Sequence, residues 1–241
     1  MIFHQTGACW KASFPDPCAG FLFRCYSDPY FARQANEPAL PPRLVGTKPI
    51  VYEDGDSVTL QFRIGEIQSE MLASDPSFLV LSYTRTMMAF MLFNKEPKRI
   101  AMIGLGGGSM PKWCYHELPK GDITVFEINQ MVISLREQFY IPADDDRFRV
   151  VCGDGADYVA DTTDSPEVLL VDGFDIHGQP SQLCSQKFYD DCYRALGLEG
   201  LLVVNLCSHM DQQLIARIRT SLMIESLWSF LKMGKTRSYS P

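Results

Sequence analysis

Acidic residues follow three short apolar runs in the second half of the chain. Glu127 ends the run DITVFE, and Asp154 follows RFRVVCG. Asp172 follows PEVLLV, with Asp175 three residues later. One aspartate after a strand is usually a helix cap or a turn residue. Three such positions, each at the end of an apolar run, indicate a ligand site built from carboxylates, which accept hydrogen bonds from hydroxyl and amino groups.

A glycine loop precedes the first of these residues. Gly104, Gly106 and Gly108 have the spacing G-x-G-x-G between the run RIAMI and a helical segment. Glycines at such a turn let the backbone approach a ligand closely. The dinucleotide motif would need a glycine at Ser109, whereas the present spacing resembles the loop of class I S-adenosylmethionine-dependent methyltransferases. Glu127, 23 positions after Gly104, is where such folds bind ribose hydroxyls, so we expect nucleoside binding.

The elements that would position this site alternate along the chain. Short apolar runs, RIAMIG, DITVFE, RFRVVCG, PEVLLVDG and GLLVVN, are separated by helical segments at 131–139 and 186–196, and another follows at 212–223. Strands that are apolar throughout are typical of a parallel sheet covered on both faces. The pattern predicts an α/β fold with a doubly wound, mostly parallel sheet whose ligand lies at the carboxyl ends of the strands.

Three regions are predicted. Residues 1–48, with six of the fifteen prolines, form an irregular leader. Residues 49–76 form a small β unit, because two alternating runs flank the turn Asp54-Gly55. Residues 77–241 form the nucleoside-binding domain with a shortened C-terminus.

Composition excludes several function classes. The chain has 241 residues, a net charge of −7 and no basic block, which argues against nucleic-acid binding. It has no apolar stretch of about 18 residues and no secretory leader, so we expect a cytoplasmic protein that does not enter membranes. Its eight cysteines contain no C-x-x-C pair, so no metal site is expected.

From about Val51 to about Leu206 the sequence resembles the spermidine synthase family, the aminopropyltransferases that share the methyltransferase fold and carry a small N-terminal β domain. The matching stretches are GEIQSEM, GLGGG, VFEIN, GDGADYV and LLVDGFDIHGQPSQLCSQKFYDDCYRALGLEGLLVVN. The last is the most specific, because it matches the family's substrate loop and the following helix without a gap.

The resemblance implies a role for each matching position. Asp172 would be the base that takes a proton from the amine, while Tyr83 and Asp175 would bind that substrate. The co-substrate would be decarboxylated S-adenosylmethionine or S-adenosylmethionine. Its binding residues would be Gln68, Gly104, Gly106, Gly108, Glu127, Asp154, Gly155 and Ala156.

Three positions depart from the family pattern. Gly107 replaces a loop aspartate that pairs with the aminopropyl amine and selects the decarboxylated cofactor. Thr84 and Arg85 replace the His and Glu of a Tyr-His-Glu segment. An inward-pointing Arg85 would repel a cationic amine.

Three functions stay open at this point. The first is alkylation of an amine such as a polyamine by aminopropyl transfer. The second is methyl transfer from ordinary S-adenosylmethionine, which Gly107 favours because the loop amides can accept a carboxylate. The third is a non-catalytic role in nucleoside binding or in interaction with another protein. The sequence after about residue 223 supplies at most one further strand, so we expect a homodimer, a truncated product or a partner that covers the sheet edge.

Overall fold

The computed structural model describes residues 2–6, 9–13, 22–23, 47–197 and 199–206. The strands are β1 (Ile2–Thr6), β2 (Cys9–Ser13), β3 (Leu22–Phe23), β4 (Ile50–Asp54), β5 (Ser57–Arg63), β6 (Glu66–Leu72), β7 (Arg99–Ile103), β8 (Asp122–Glu127), β9 (Phe148–Cys152), β10 (Val168–Val171) and β11 (Leu201–Val204). The α-helices are α1 (Ser82–Met87), α2 (Ser109–Glu117), α3 (Gln130–Ile133), α4 (Gly155–Asp161) and α5 (Gln186–Leu196). Short 3-10 helices span Met88–Leu92 and Ser181–Cys184.

The main sheet contains the five apolar runs in the order β11-β10-β7-β8-β9, and every neighbouring pair is parallel. The order reverses beside β7, where the chain first moves outward through β8 and β9 and then returns to β10. The predicted doubly wound α/β fold of methyltransferase type is therefore confirmed.

Alternate residues of the strands enter two separate cores. In β10, Val168 and Leu170 join a cluster with α2 and the β4-β6 unit, while Leu169 and Val171 join a cluster with α5. All four residues of β10 are fully buried, and those of β11 are buried as well. Burial on both faces explains why these strands read as continuous apolar runs rather than alternating ones.

The small β unit ahead of the main domain is confirmed as an antiparallel sheet of order β4-β5-β6. Its first turn uses Gly55 at φ 59°, as the Asp54-Gly55 signal predicts. Val58, Leu60 and Met71 point into the same core as the main sheet. The unit is thus fixed against the glycine-loop side of the domain.

One predicted helix differs in extent from the observed one, one coincides with it, and one lies outside the described residues. The predicted helix at 131–139 is a single helical turn, α3, followed by further turns that bring Phe139 into the core. The predicted helix 186–196 coincides with α5. Within 1–48, where we expected irregular structure, three strands form a small sheet of order β2-β1-β3. The predicted helix at 212–223 falls outside the described residues.

No helix in the described ranges has the length and apolar character needed to cross a bilayer. The same ranges contain no group of three or more His, Cys, Asp or Glu residues arranged to hold a metal ion.

A buried lysine connects α2 to the segment after α3. Lys112 is 3% exposed, and its Nζ donates a hydrogen bond of 2.7 Å to the carbonyl oxygen of Phe139. Burial lowers the pKa of Lys112 to about 8. Among the described residues this ammonium has no salt-bridge partner, so its charge opposes folding at neutral pH.

We predict that Lys112→Met removes a pH-dependent part of the stability. Because the pKa is about 8 in the folded state and 10.5 as the reference for the unfolded chain, the unfolded state binds more protons between these values. The stabilisation of the parent protein relative to the variant should therefore rise by about 3 kcal/mol between pH 8 and 10.5 and stay flat below pH 8. Denaturant unfolding of both proteins across this range is the measurement. A difference that does not change with pH would contradict an unpaired buried ammonium.

Candidate active site

Three of the predicted site residues, Asp172, Gly104 and Glu127, lie in one row across the carboxyl edge of the main sheet. Val204, Val171, Ile103 and Phe126 pair side by side on β11, β10, β7 and β8. The ladder continues one residue further, because the amides of Asn205, Asp172 and Gly104 donate to the carbonyls of Val171, Ile103 and Phe126 at 2.8–2.9 Å. The next positions are therefore, in order, Asn205, Asp172, Gly104 and Glu127.

The glycine loop has a backbone that other residues rarely adopt. Gly104, Gly106 and Gly108 have φ values of 98°, 53° and 69°. A Cβ on Gly104 would collide with the backbone carbonyl of Asp172, and one on Gly108 would lie 2.5 Å from Cγ1 of Ile141. Space and conformation both require glycine at these two positions.

Gly107 is also restricted by packing, although its φ is ordinary. A Cβ there would lie 2.7 Å from Oγ of Ser69 and 2.8 Å from Cδ1 of Phe139. Both neighbours are buried, and Ser69 Oγ lies 3.4 Å from Ser109 Oγ. The loop therefore offers a ligand only backbone groups at this position.

Glu127 is fixed beneath the loop. Its Oε2 accepts a hydrogen bond of 2.9 Å from the amide of Leu105, and its Oε1 accepts one of 2.8 Å from the amide of Asn129. Burial raises the pKa of Glu127, and these backbone hydrogen bonds oppose the rise. The backbone amides of Gly106 and Ile128 also lower the pKa of Glu127, so the peptide groups around the loop hold this carboxylate in place.

Asp154 begins α4. Its Oδ1 accepts a hydrogen bond of 2.9 Å from the amide of Ala156, so it caps the helix. Gly155 is buried, and a Cβ there would lie 2.5 Å from Cγ2 of Ile103. Within the described part of the chain, Oδ2 of Asp154 accepts no hydrogen bond.

Gln68 lies on β6, beside the loop rather than in the row. Its side chain is half-buried. The next residue, Ser69, packs against Gly106 and Gly107. Strand β6 therefore reaches the glycine loop through Ser69, and the side chain of Gln68 leaves the strand on the opposite face.

The carboxyl group of Asp172 receives two hydrogen bonds. The hydroxyl of Tyr83, on α1, donates to Oδ2 at 3.1 Å, and Nδ2 of Asn205 donates to Oδ1 at 2.8 Å. Burial raises the pKa of Asp172, while the hydrogen bonds from Asn205 and Tyr83 lower it. The structure thus brings together Asp172 and Tyr83, which are 89 residues apart.

Asp175 lies apart from this pair, in an exposed turn. Its Oδ1 accepts a hydrogen bond of 2.7 Å from the amide of His177, and its backbone pairs with Gly178. The carboxylate is therefore at the rim of the site, with its described hydrogen bonds inside its own turn.

Thr84 and Arg85 point away from the carboxylates. Thr84 is buried and its hydroxyl donates to the carbonyl of Leu81 at 2.6 Å. The guanidinium of Arg85 donates to the carbonyls of Leu79 and Val80. The inward-pointing Arg85 considered from the sequence is not the observed conformation.

Asn205 was missed by the sequence analysis. It is 9% exposed and directly follows β11. The available signal was its position, since it ends the run GLLVVN as Asp172 ends PEVLLVD. Asparagine carries no charge, so it does not belong to the pattern of acidic residues at the ends of the strands.

The fold and the row of polar groups define a methyltransferase-type α/β domain. Residues 80–223 match the family described as spermine/spermidine synthase domain. The chain belongs to this family.

Two kinds of relatives agree with this assignment. A protein of Chromobacterium violaceum named polyamine aminopropyltransferase is 41% identical over 156 residues, covering 64% of this chain and 60% of that protein. The crystal structure of a probable spermidine synthase from Corynebacterium glutamicum has a TM-score of 0.62 at 21% identity, covering 73% and 66% of the two chains. A spermidine synthase in complex with the transition-state analogue AdoDATO has a TM-score of 0.55 at 22% identity, covering 72% and 61%. The two solved structures support the fold.

We predict that Gly104→Ala destabilises the protein by at least about 2 kcal/mol, because a methyl group would meet a backbone carbonyl at an unfavourable φ. Gly153→Ala is the matched control, since nothing lies within 4 Å of its Cβ position. Thermal unfolding of the two variants measures the effect. Equal melting temperatures would contradict the close approach of the loop to Asp172.

Proposed function

We propose that the protein is a spermidine-synthase-like transferase that binds an adenosyl sulfonium co-substrate and aminopropylates an amine such as a polyamine. The observation that carries this proposal is the fixed carboxylate of Asp172, which accepts hydrogen bonds from Tyr83 and Asn205 beside the glycine loop. The chain spans about 60% of the length of the curated relatives it matches. The activity by which those relatives are named is therefore part of the proposal.

The nucleoside part of the co-substrate fits the row on the β7 and β8 side. We assign the ribose hydroxyls to Glu127, which ends β8 and is bonded to the glycine loop, and the adenine amino group to Asp154, whose Oδ2 has no described partner. Gly155 and Ala156 allow the base to approach the start of α4. Gln68 contributes from β6, and the glycine loop receives the chain that carries the transferred group.

The transfer itself needs an amine with a free electron pair. The amine nitrogen attacks the carbon next to the sulfonium, the carbon–sulfur bond breaks, and a neutral thioether leaves. An alkyl amine with a pKa of about 10 is mostly protonated at neutral pH, so a nearby base must take its proton. We assign this role to Asp172, because burial raises its pKa and makes it a stronger base than an exposed aspartate.

The carboxylates also suit a cationic substrate. Asp175, exposed at the rim, attracts an alkyl ammonium, and Tyr83 orients the group that reaches Asp172. Arg85 does not oppose this, because its guanidinium is bonded to the backbone of its own segment.

The alternative is methyl transfer from ordinary S-adenosylmethionine. It is favoured by Gly107, where a side chain is excluded by Ser69 and Phe139. A loop without a carboxylate does not repel the carboxylate of the complete co-substrate. Product analysis separates the two, since only aminopropyl transfer adds a three-carbon amine.

We predict that Asp172→Asn and Glu127→Gln fail in different steps. Asp172→Asn should lower kcat by about 10²- to 10⁴-fold and leave methylthioadenosine binding nearly unchanged, because a general base is lost. Glu127→Gln should weaken methylthioadenosine binding by about 10- to 100-fold, because charged hydrogen bonds are lost. Steady-state kinetics with putrescine and calorimetric titration measure the two effects. An unchanged rate in Asp172→Asn would remove this residue from the mechanism.

We predict that the loop discriminates little between the two forms of the co-substrate. Calorimetric titration with S-adenosylmethionine and its decarboxylated form should give dissociation constants within about tenfold, because no carboxylate at position 107 repels the complete form. A strong preference for S-adenosylmethionine, with a methylated product, would support the alternative. Binding of neither form, nor of methylthioadenosine, would leave only a non-catalytic role.

A further inference from the structure

Asn205 is held beside Asp172 by the backbone as well as by its side chain. Its amide continues the ladder to the carbonyl of Val171 at 2.9 Å, and its Nδ2 reaches Oδ1 of Asp172 at 2.8 Å. The residue is 9% exposed. The backbone of Asn205 is fixed by β10, and its side chain is fixed by Asp172. Neither Asn205 nor the carboxyl group of Asp172 therefore has much freedom to move.

The orientation of this amide follows from the charge of its partner. An ionised carboxylate only accepts hydrogen bonds, so the amide of Asn205 must turn its NH₂ toward Asp172. With Tyr83 on Oδ2 and Asn205 on Oδ1, each carboxylate oxygen has one donor. The plane of the carboxyl group is therefore fixed from both sides.

We propose that Asn205 is the positioning residue that holds the Asp172 carboxylate ionised and in a fixed orientation toward the amine. This inference rests on the proposed function of Asp172 as a base. It goes beyond that function, because it assigns the orientation of the base to a residue that does not contact the reacting atoms.

The surroundings of Asp172 leave few other groups to set its charge. From α1 it meets the titratable Tyr83, and its own turn carries Asp175 and His177. The glycine loop packed on its backbone carries no titratable residue between positions 104 and 108. The hydrogen bond from Asn205 is the larger of the two that lower the pKa of Asp172, against the rise caused by burial.

The test compares three variants of the full chain. Asn205→Leu keeps the branched shape and the number of side-chain heavy atoms but removes the donor, and Asn205→Gln keeps an amide. Asn94→Leu is the matched control, because Asn94 Nδ2 also donates to a carboxylate, Glu167 Oε2 at 3.4 Å, at the opposite edge of the sheet.

Two measurements are made on each variant. Carbon-13 NMR titration follows the Asp172 carboxyl, assigned by its absence in Asp172→Asn, and steady-state kinetics with putrescine give the pH profile of kcat/KM.

In Asn205→Leu the pKa of Asp172 should move to higher pH, because the ionised form loses a donor. The acid limb of kcat/KM should move in the same direction, because the base is active only when ionised. We expect kcat to fall by about 10²-fold with little change in KM, as for a misplaced catalytic group. Asn205→Gln should recover at least part of both effects, and Asn94→Leu should show neither.

The inference and the proposed function can fail separately. An unchanged Asp172 titration in a folded Asn205→Leu protein would overturn the inference. The same would follow if Asn205→Gln lost activity without any change in the titration. A shifted titration in a chain that transfers nothing to putrescine would keep Asn205 as the group that orients Asp172 and would instead reject the proposed transferase activity.

Discussion

The site depends on the backbone register of four neighbouring parallel strands of the main sheet. The register of β11, β10, β7 and β8 aligns one residue from the carboxyl end of each strand. Asn205, Asp172 and Gly104 directly follow the first three strands, and Glu127 is the last residue of β8. Hydrogen bonds of the ladder, rather than side-chain contacts, determine the spacing between Asp172, the glycine turn and Glu127. A shift of one strand by a single residue would reverse its side chains and separate these groups.

The remaining parts of the structure support that line from two directions. The small β unit packs on the same core as α2 and brings Ser69 under the glycine loop. On the other face, α5 and the 3-10 helix that precedes it bury the second core. The two cores share β7, β10 and β11, and β10, which ends directly before Asp172, has every residue at 0% exposure.

Much of this arrangement is readable from the sequence, because parallel strands buried on both faces must be apolar throughout. That signal located all five strands of the main sheet, and the acids at their ends followed from it. The length of α3 was overestimated, since burial of Phe139 does not require a helix there. The role of Asn205 depends on a tertiary contact with a partner 33 positions away, and the direction of Arg85 depends on backbone carbonyl groups that the turn before α1 happens to expose. Such contacts have no local pattern.

The packing around Gly107 also limits how this loop can change during evolution. Any side chain at that position must displace a serine from the small β unit and an aromatic ring from the core at the same time. A single nucleotide change therefore cannot install a charged group there without loss of stability. A side chain at position 107 would therefore require coordinated substitutions in three separate segments, the glycine loop, the small β unit and the turns that carry Phe139.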